Sequence, residues 1–479
     1  MSVASPLAPG WLVPPADANA LAEHVWPAAA RRRDDGQLEL GGVAVRDLVA
    51  QYGTPVLVLD EGEVRDRARR TREAFQDVAA RHGTQARVYY AGKAFLSTEV
   101  ARWVTEEGLR VDVCTRGELE VALAAGVPAD HLGFHGNNKS VTELERAVEV
   151  GIGSIVIDSV WELDRLAAIV ARLGREDGGA QDVLLRVNTG VHAETHHFLA
   201  TSHEDQKFGF GLEAAPDLVA RVRATPGLNL VGLHCHIGSQ IFGTDGFRAS
   251  AARLLGVLAD LPGGPLPVLN LGGGFGIAYT SADEPTPIAE LAEGIVSVVA
   301  SEAQLLGIPV PFLAFEPGRS IVGTAGVTLY EVGTTKDVSV ETSDGARSGV
   351  AATRRYVSVD GGMSDNPRPA LYDAQFSARI ADRTSTAEPA LVRVVGKHCE
   401  SGDIVVDAEY LPADVAPGDL LAVPATGAYC YALASNYNHV PRPPIVAVRD
   451  GASRVIVRGE TIDDLLARDA GLAGRRGDR

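Results

Sequence analysis

Short apolar runs alternate with longer helical patterns from about residue 88 to residue 315. The apolar runs that predict strands are 88–90, 109–113, 131–134, 154–157, 183–187, 228–234, 268–271 and 311–315. Between them, apolar residues recur with the helical period, as in 161–173 and 246–261. Eight strands, each joined to the next by a helix, imply parallel strands with right-handed crossovers. The pattern therefore predicts an α/β fold with a (β/α)8 TIM-type barrel.

A doubly wound open sheet is the structural alternative for this pattern. Such a sheet predicts a G-x-G-x-x-G fingerprint after its first strand, and Gly92-Lys93 does not match it. After residue 321 the pattern changes to strand-like runs separated by Gly, Pro and Asp, which predicts a C-terminal β-rich, barrel-like domain. We therefore expect an N-terminal extension at 1–36, the barrel at 37–320 with a leading strand shared with the β domain, and the β-rich domain at 321–479. Residues 340–353 are expected to form a surface loop.

Composition narrows the class of protein. Hydrophobic residues make up 46% of the 479 residues and charged residues 22%, as in an ordinary globular protein. The net charge of −18 argues against nucleic acid or an anionic membrane as the main partner. No apolar run approaches the ~20 residues that span a bilayer, and no signal peptide is evident. The four cysteines form no CxxC pair, so we expect free thiols and a cytoplasmic location.

Polar side chains stand where the predicted strands end, which in a barrel is where active sites lie. Besides the segments discussed below, they include Asp112, His135, Asp158, Arg186 and His234. Lys93 follows the first strand, between Gly92 and Ala94. Only five of the 44 basic residues are lysines, and a lysine can lose its proton and attack a carbonyl, which arginine cannot. The alternative is a strand-end lysine that simply extends to solvent.

Three further strand ends suggest one ligand. Glycines at 272–274 and 276 allow backbone N–H groups to approach an anion, although a flexible turn is the alternative. His236 offers a flat ring and Ser239 a hydroxyl, while Glu316 and Arg319 add an acid and a fixed positive charge. Together with Lys93 these groups suit a ligand with a phosphate, a planar ring bearing a basic nitrogen, and a carbonyl. Pyridoxal 5′-phosphate has all three.

The chain resembles the diaminopimelate decarboxylase family, within the barrel-type (alanine racemase-like) group of pyridoxal-phosphate enzymes. The resemblance covers about residues 43–466. The matching motifs are Tyr90-Ala91-Gly92-Lys93-Ala94, His135-Gly136-Asn137-Asn138-Lys139, Lys207-Phe208-Gly209, His234-Cys235-His236-Ile237-Gly238-Ser239-Gln240, Gly272-Gly273-Gly274, Glu316-Pro317-Gly318-Arg319, Gly396-Lys397-His398-Cys399-Glu400-Ser401 and Gly427-Ala428-Tyr429-Cys430.

The resemblance implies a role for each matched residue. Lys93 is expected to bind the cofactor's aldehyde, His236 to stack on its ring, and Glu316 to face the ring nitrogen. The remaining expected cofactor contacts are Ser239, Gly272, Gly273, Gly274, Pro317, Gly318, Arg319 and Tyr429. Lys93, His236, Glu316 and Cys399 are the expected catalytic residues, with Cys399 as proton donor. A small buried hydrophobe is the alternative reading of Cys399.

The expected substrate follows from the resemblance and from one arginine. Arg319, Arg368 and Tyr372 are expected to hold a distal carboxylate, Glu400 an amino group, and Tyr429 both substrate and cofactor. An arginine suits a substrate with a carboxylate at its far end. The resemblance thus implies decarboxylation of meso-2,6-diaminopimelate to L-lysine, the last step of lysine biosynthesis, by a homodimer whose subunits share active sites.

Several alternatives stay open. A decarboxylase of this fold acting on another amino acid (ornithine- or arginine-type, or carrier-bound) is one, and a non-catalytic regulatory homologue is another. Such a homologue usually loses the lysine or the cysteine, and this chain keeps Lys93 and Cys399. We expect no metal, because His192, His196, His197 and His203 do not match a recognised zinc spacing. Lys139, a second candidate amine, precedes the predicted N-cap Ser140 and is expected to face solvent or to form hydrogen bonds.

Overall fold

The structure is a computed structural model that describes residues 5–174, 179–191, 207–344 and 347–472, without the side chains of 342–351. The chain divides into two compact units. The barrel unit comprises Val64–Ile277 and Pro285–Ile321, and the β-rich unit comprises Met1–Glu63, Ala278–Glu284 and Val322–Arg479. Among the described residues, no helix is both long enough and apolar enough to cross a membrane.

The N-terminal segment is part of the β-rich unit. Its elements are β1 (Arg31–Arg32), β2 (Leu38–Leu40), β3 (Val43–Ala44), helix α1 (Val45–Tyr52) and β4 (Val56–Asp60). Strands β1 to β3 form a small antiparallel sheet. Trp26 is buried in the same apolar cluster as Leu38 and Val58. The sequence predicted a separate extension at 1–36. This stretch is rich in Pro and Ala and has no hydrophobic periodicity, so the burial of Trp26 could not be seen in it.

The barrel begins after helix α2 (Glu61–Arg81). Its strands are β5 (Ala86–Ala91), β6 (Arg110–Val113), β7 (Leu132–Phe134), β8 (Ser154–Ile157), β9 (Gln181–Asn188), β10 (Phe210–Gly211), β11 (Leu228–His234), β12 (Val268–Asn270) and β13 (Phe312–Phe315). All of them pair in parallel. Strand β13 returns to β5 and β8 pairs with β9, so eight strands close a barrel, and β10 only extends the edge beside the end of β9. The predicted TIM-type barrel is confirmed.

Helices follow the strands around the barrel. They are α3 (Thr98–Glu106), α4 (Arg116–Ala124), α5 (Val141–Glu149), α6 (Val160–Leu173), α7 (Ala215–Arg223), α8 (Asp245–Asp260), α9 (Ile288–Leu305) and the single turn α10 (Arg319–Val322). Ser97, Thr115, Ser140 and Ser159 cap α3 to α6 by accepting a backbone N–H from the first turn. These caps fix where each loop ends after a strand.

The β-rich unit continues with β14 (Gly326–Asp344), β15 (Arg347–Val359), α11 (Arg368–Tyr372), β16 (Arg379–Ile380), β17 (Pro389–Val395), β18 (Ile404–Pro412), β19 (Leu420–Pro424), β20 (Ile445–Arg449), β21 (Ala452–Val457) and α12 (Ile462–Ala467). Its main sheet has the order β18-β17-β15-β14-β4-β20-β21, with β19 also pairing β14. Strands β14 and β15 pair as far as Asp344 and Arg347. The prediction of a surface loop at 340–353 is therefore wrong. The Ser, Gly and Thr residues of this stretch are typical of loops, but hydrogen bonding between the two strands determines its structure.

Candidate active site

Lys93 lies in a single 3-10 turn, Gly92–Ala94, directly after β5. Its neighbours Gly92 and Ala94 are buried, whereas Lys93 itself is exposed. The small residues are required by close packing: a Cβ on Gly92 would lie 2.8 Å from the carbonyl oxygen of Asp112, and one on Gly318 would lie 3.0 Å from that of Ala91. Close packing thus fixes the backbone around Lys93. The exposed amine can reach a ligand at the C-terminal ends of the strands.

Three strand-end turns meet at the predicted glycines. A Cβ on Gly273 would lie 1.9 Å from the carbonyl oxygen of Glu316, and one on Gly274 would lie 2.2 Å from that of Gly238. Gly272 and Gly274 also have φ of +67° and +104°, a region that favours glycine. The turns after β11, β12 and β13 therefore contact one another directly, and only glycine leaves room for that contact.

A hydroxyl, a guanidinium and an imidazole stand on these turns. The Nη2 of Arg319 donates a 2.9 Å hydrogen bond to the Oγ of Ser239, and Arg319 is buried. The N–H of Gly273 donates to Nδ1 of His236 at 3.4 Å. Burial and the nearby charge of Lys93 hold the pKa of His236 well below its ordinary value. His236 is therefore a neutral, flat ring beside a positive pocket.

Glu316 is a buried carboxylate surrounded by neutral hydrogen-bond donors. The Nδ2 of Asn270 donates to its Oε1 at 2.7 Å, and the Nε2 of His234 lies 3.1 Å from Oε1 and 3.3 Å from Oε2. Burial alone acts to raise the pKa of Glu316, but the imidazoles of His135 and His234 outweigh it and hold that pKa below its ordinary value. Glu316 is therefore ionised in the folded protein.

A second buried acid, Asp112, lies near Glu316, and its pKa is shifted in the opposite direction. The Nε2 of His135 is 3.2 Å from Oδ1 of Asp112 and 3.5 Å from Oε1 of Glu316. Burial and the charge of Glu316 raise the pKa of Asp112 well above its ordinary value. Burial also lowers the pKa of His135, and that of His234, to about 4. The cluster thus combines two acids whose pKa values are shifted in opposite directions and two imidazoles that are neutral at pH 7.

These residues fit the pyridoxal phosphate predicted from sequence. The glycine turn and the Ser239–Arg319 pair suit a phosphate, the exposed amine of Lys93 suits an aldehyde, and ionised Glu316 suits a protonated ring nitrogen. The cluster of His135, His234 and Glu316 also has ligand atoms close enough for a metal. The short hydrogen bonds to Glu316 already account for that arrangement.

The sequence missed most of the support for Glu316. From the sequence, Asp112, His135 and His234 are predicted only as polar residues at strand ends, without a role, and Asn270 is not predicted at all. The available signal was the position of Asn270 as the last residue of β12, directly before the glycine turn.

The remaining predicted residues lie in the β-rich unit. Cys399 is exposed in the loop between β17 and β18, and its N–H donates to Oδ1 of Asn438 at 2.9 Å. Asp403 organises this loop by accepting from His398 Nδ1 at 2.8 Å and from the N–H of Met363 at 2.6 Å. Glu400 is exposed and accepts from the N–H of Gly402 at 3.3 Å. An exposed thiol excludes the small buried hydrophobe as a reading of Cys399.

Arg368 begins helix α11 and is 3% exposed. Its guanidinium carbon lies 4.5 Å from the ring centre of Tyr279 and 5.6 Å from that of Phe376. Its Nη1 has no hydrogen-bond partner within the described part of the chain. Tyr372 ends the same helix and is exposed, and Tyr429 adopts a φ of +61°. Arg368 is thus a buried cation held by aromatic rings, with a donor left over.

Two other expectations have different outcomes. Lys139 is buried and donates to the carbonyls of Gly136 and Val156 and to Oε1 of Glu162, at 2.7 to 2.8 Å. The prediction of a hydrogen-bonding role is confirmed, and the prediction that Lys139 faces solvent is wrong. Its ammonium group is held inside the protein by acceptors near the ends of β7 and β8. Ser140 caps α5 as predicted. The histidines at 192, 196, 197 and 203 lie outside the described residues.

Comparisons with known proteins match both the barrel and the whole chain. Residues 61–323 match the family model of the pyridoxal-binding domain of pyridoxal-dependent decarboxylases. Diaminopimelate decarboxylase of Mycobacterium tuberculosis is 52% identical over 456 residues, covering 93% of this chain and 98% of the relative. The Bacillus subtilis enzyme of the same name is 44% identical over 445 residues, covering 92% and 97%.

A solved structure gives the same result. Diaminopimelate decarboxylase from M. jannaschii, crystallised with L-lysine, has a TM-score of 0.83 at 30% identity, covering 92% of this chain and 98% of that one. The matches confirm the predicted cofactor and extend well beyond the barrel. The chain belongs to the diaminopimelate decarboxylase family of pyridoxal-dependent decarboxylases.

Proposed function

We propose that this enzyme decarboxylates meso-2,6-diaminopimelate to L-lysine and CO2 with the site residues predicted above. The observation that carries the reaction type is Glu316, a buried carboxylate held ionised beside the glycine turn and Lys93. The relatives that share 44 to 52% of their residues with this chain are named for the same substrate. The reaction would complete lysine biosynthesis.

Residues of the barrel unit hold the cofactor in this proposal. Lys93 binds the aldehyde through its amine, His236 lies against the ring, and Tyr429 from the β-rich unit adds a contact. The phosphate is held by Ser239, the backbone of Gly272–Gly274 and the turn Glu316-Pro317-Gly318-Arg319. The 2.9 Å hydrogen bond between Arg319 and Ser239 supports a shared phosphate contact.

Bound pyridoxal phosphate supplies an electron sink for the electron pair left on the substrate when CO2 departs. Glu316 sustains that sink because an ionised carboxylate holds a proton on the ring nitrogen. Asn270 and His234 donate hydrogen bonds to Glu316, so they make it a weaker base and leave the proton on the nitrogen.

Cys399 donates the proton that replaces the lost carboxylate. Its thiol hydrogen moves to the substrate carbon, and the thiolate is reprotonated from solvent. Its exposure and the anchoring of its loop by Asn438 and Asp403 support this role. We expect Cys399→Ala to bind cofactor normally.

The far end of the substrate carries an amino group and a carboxylate, which are retained in lysine. Arg368 and Tyr372, with Arg319, bind the carboxylate, and Glu400 binds the amino group. Arg368 supports this assignment, because a buried N–H that has no partner among the described residues is costly unless a ligand accepts it. Ornithine and arginine lack that second carboxylate.

The functional assembly in this proposal is a cytoplasmic homodimer in which the Cys399 loop of one subunit completes the site of the other. All four cysteines are free thiols, which supports a reducing compartment. Exposure of Cys399 and Glu400 on one loop supports their contact with another molecule.

A substrate panel tests the assignment. Purified protein with pyridoxal phosphate is offered meso-diaminopimelate, ornithine, arginine and lysine, and CO2 and amine products are quantified. We expect CO2 and L-lysine from diaminopimelate alone. CO2 from another amino acid instead would establish a different decarboxylase, and inactivity toward all would favour a regulatory homologue.

A further inference from the structure

The axis of the barrel contains a cavity of about 430 Å³. It starts among half-exposed side chains at the N-terminal ends of the strands, including Arg110 and Asp182, and it ends at Asp112, His135 and Asn270, which are all buried. Every residue that lines it belongs to the barrel unit. The cavity therefore approaches the Glu316 cluster from the end opposite the strand-end turns that carry Lys93.

Strand periodicity explains why this space is not filled. Side chains two residues apart on a strand share a face, so Phe312 and Ala314 on β13 and Ser154 and Val156 on β8 point inward. TIM barrels usually fill this interior with layers of bulky branched side chains. Here Ala314 and Ser154 occupy inward positions with small side chains, and the layer stays open.

The cavity is polar enough to hold water. Asp182 and Arg110 stand at its open end, and the carboxyl of Asp112 and the amide of Asn270 at its buried end. A volume of this size holds on the order of ten waters at ~30 Å³ each, and polar cavities of this kind are normally hydrated. The Oδ2 of Asp112 has no hydrogen-bond partner within the described chain, so a water is its natural partner.

The residues at the buried end are also those that contact Glu316. Asn270 donates to Glu316 at 2.7 Å, and His135 lies between Asp112 at 3.2 Å and Glu316 at 3.5 Å. Each of these side chains thus faces the cavity on one side and the Glu316 cluster on the other. The pKa of Asp112 is raised well above its ordinary value and that of His135 is lowered to about 4, and the two groups lie in line with Glu316.

We propose that the axial cavity is a water-filled proton path that connects the N-terminal face of the barrel to Glu316 through Asp112 and His135. Asp112 passes its proton to Nε2 of His135 and takes a new one from a cavity water, and the hydroxide left behind takes a proton from solvent at the open end of the cavity. His135 returns to its neutral form by passing the proton on to Glu316. The path lets the Glu316 cluster exchange protons while substrate covers the opposite side. Its use in the reaction rests on the proposed function, whereas its existence does not.

The test is the rate at which the proton at Nε2 of His135 exchanges with solvent, measured by NMR on holoenzyme with ¹⁵N-labelled histidine. Two substitutions, called plug variants here, place a larger side chain in the cavity at different depths. Val231→Trp fills it among the half-exposed residues and Ala314→Leu fills its buried part. Both should slow the exchange by about tenfold or more. Val231→Ile, which adds one methylene at the same position, should leave it unchanged.

Unchanged exchange in both folded plug variants would overturn the proton path. If neither plug folds, a high-resolution crystal structure of the wild-type holoenzyme decides: ordered waters from Asp182 to Asp112 support the path, and a dry cavity refutes it. Neither measurement requires turnover, so failure of the proposed decarboxylation would be seen separately in the substrate panel.

Discussion

Glu316 is ionised although it is buried. His135 and His234 hold its pKa below the ordinary value against the cost of burial, and the amide of Asn270 donates a 2.7 Å hydrogen bond to its carboxylate. A hydrogen bond to a charged group contributes roughly 1.5–3 kcal/mol, so loss of one donor shifts the proton balance at the ring nitrogen measurably.

Removal of the Asn270 amide should therefore weaken decarboxylation. Asn270→Leu keeps the side-chain size, and we expect kcat to fall by about tenfold or more with a smaller change in KM. The absorbance spectrum of the holoenzyme should show a less protonated ring. Asn229→Leu, an exposed position on β11, is the control. An unchanged spectrum in Asn270→Leu would show that Glu316 does not need this donor.

Asp365 gives a pH-dependent prediction for stability. It is buried, it accepts hydrogen bonds from Tyr330 and from the N–H of Gly362, and burial raises its pKa from 3.8 to about 7. The folded state therefore holds the proton more tightly than the unfolded state between these values. Its stabilising contribution is complete below pH 3.8 and is lost as pH rises through about 7.

Asp365→Asn should remove that pH dependence. Between pH 5 and pH 7 the wild type should lose up to about 1.4 kcal/mol of unfolding free energy per pH unit relative to the variant. Urea unfolding at several pH values measures the difference. Parallel profiles for the two proteins would mean that Asp365 is already ionised at pH 5.

At the scale of elements, the turns after β11, β12 and β13 can contact one another only because glycine has no side chain. Gly273→Ala places a methyl 1.9 Å from the Glu316 carbonyl, so two turns must separate. We expect affinity for pyridoxal phosphate to fall by at least about tenfold, equal to ~1.4 kcal/mol, in an absorbance titration.

Gly256→Ala is the matched control for that variant. Gly256 lies within α8, and a Cβ there would meet no atom within 4 Å. Cofactor affinity should not change, and stability should rise by up to about 1 kcal/mol because alanine favours a helix. Equal affinity in both variants would contradict the requirement for contact between the turns.

The strands themselves could be predicted well from sequence. The predicted runs 154–157 and 228–234 agree with β8 and β11 to the residue, because each is an apolar, β-prone run bounded by turn residues. Lys93, Glu316 and the glycine turn were found because barrel strand ends converge. The position of Asn270 at the end of β12 could be read from the sequence, but its hydrogen bond to Glu316 could not, since that depends on which side chains closure of the barrel brings together.

At the scale of the whole molecule, the division into units differs from the order of the chain. Residues 5–63 belong with the β-rich unit, whereas the sequence predicted an extension at 1–36 and, from residue 37, the barrel with a leading strand shared with the β domain. Strand β4 pairs with β14 and β20 of the β-rich unit, in the region where a shared leading strand was predicted. The long-range packing of Trp26, by contrast, leaves no local pattern in the sequence.

The proposed shared site predicts complementation between inactive subunits. Lys93→Ala lacks the amine and Cys399→Ala lacks the proton donor, but a mixed dimer contains one site with both groups intact. Random exchange of subunits should restore about one quarter of wild-type activity, since half the dimers are mixed and each has one working site of two. No recovered activity after verified exchange would argue that each subunit completes its own site.

The most direct measurement concerns Lys93. Wild-type protein and Lys93→Ala are compared for absorbance of the bound cofactor and for L-lysine formed from meso-diaminopimelate. We expect the wild type to show the cofactor bound through lysine and to form lysine with release of CO2, and Lys93→Ala to lose both the absorbance and the product. Full lysine formation by Lys93→Ala would contradict the assignment of this barrel end as the active site.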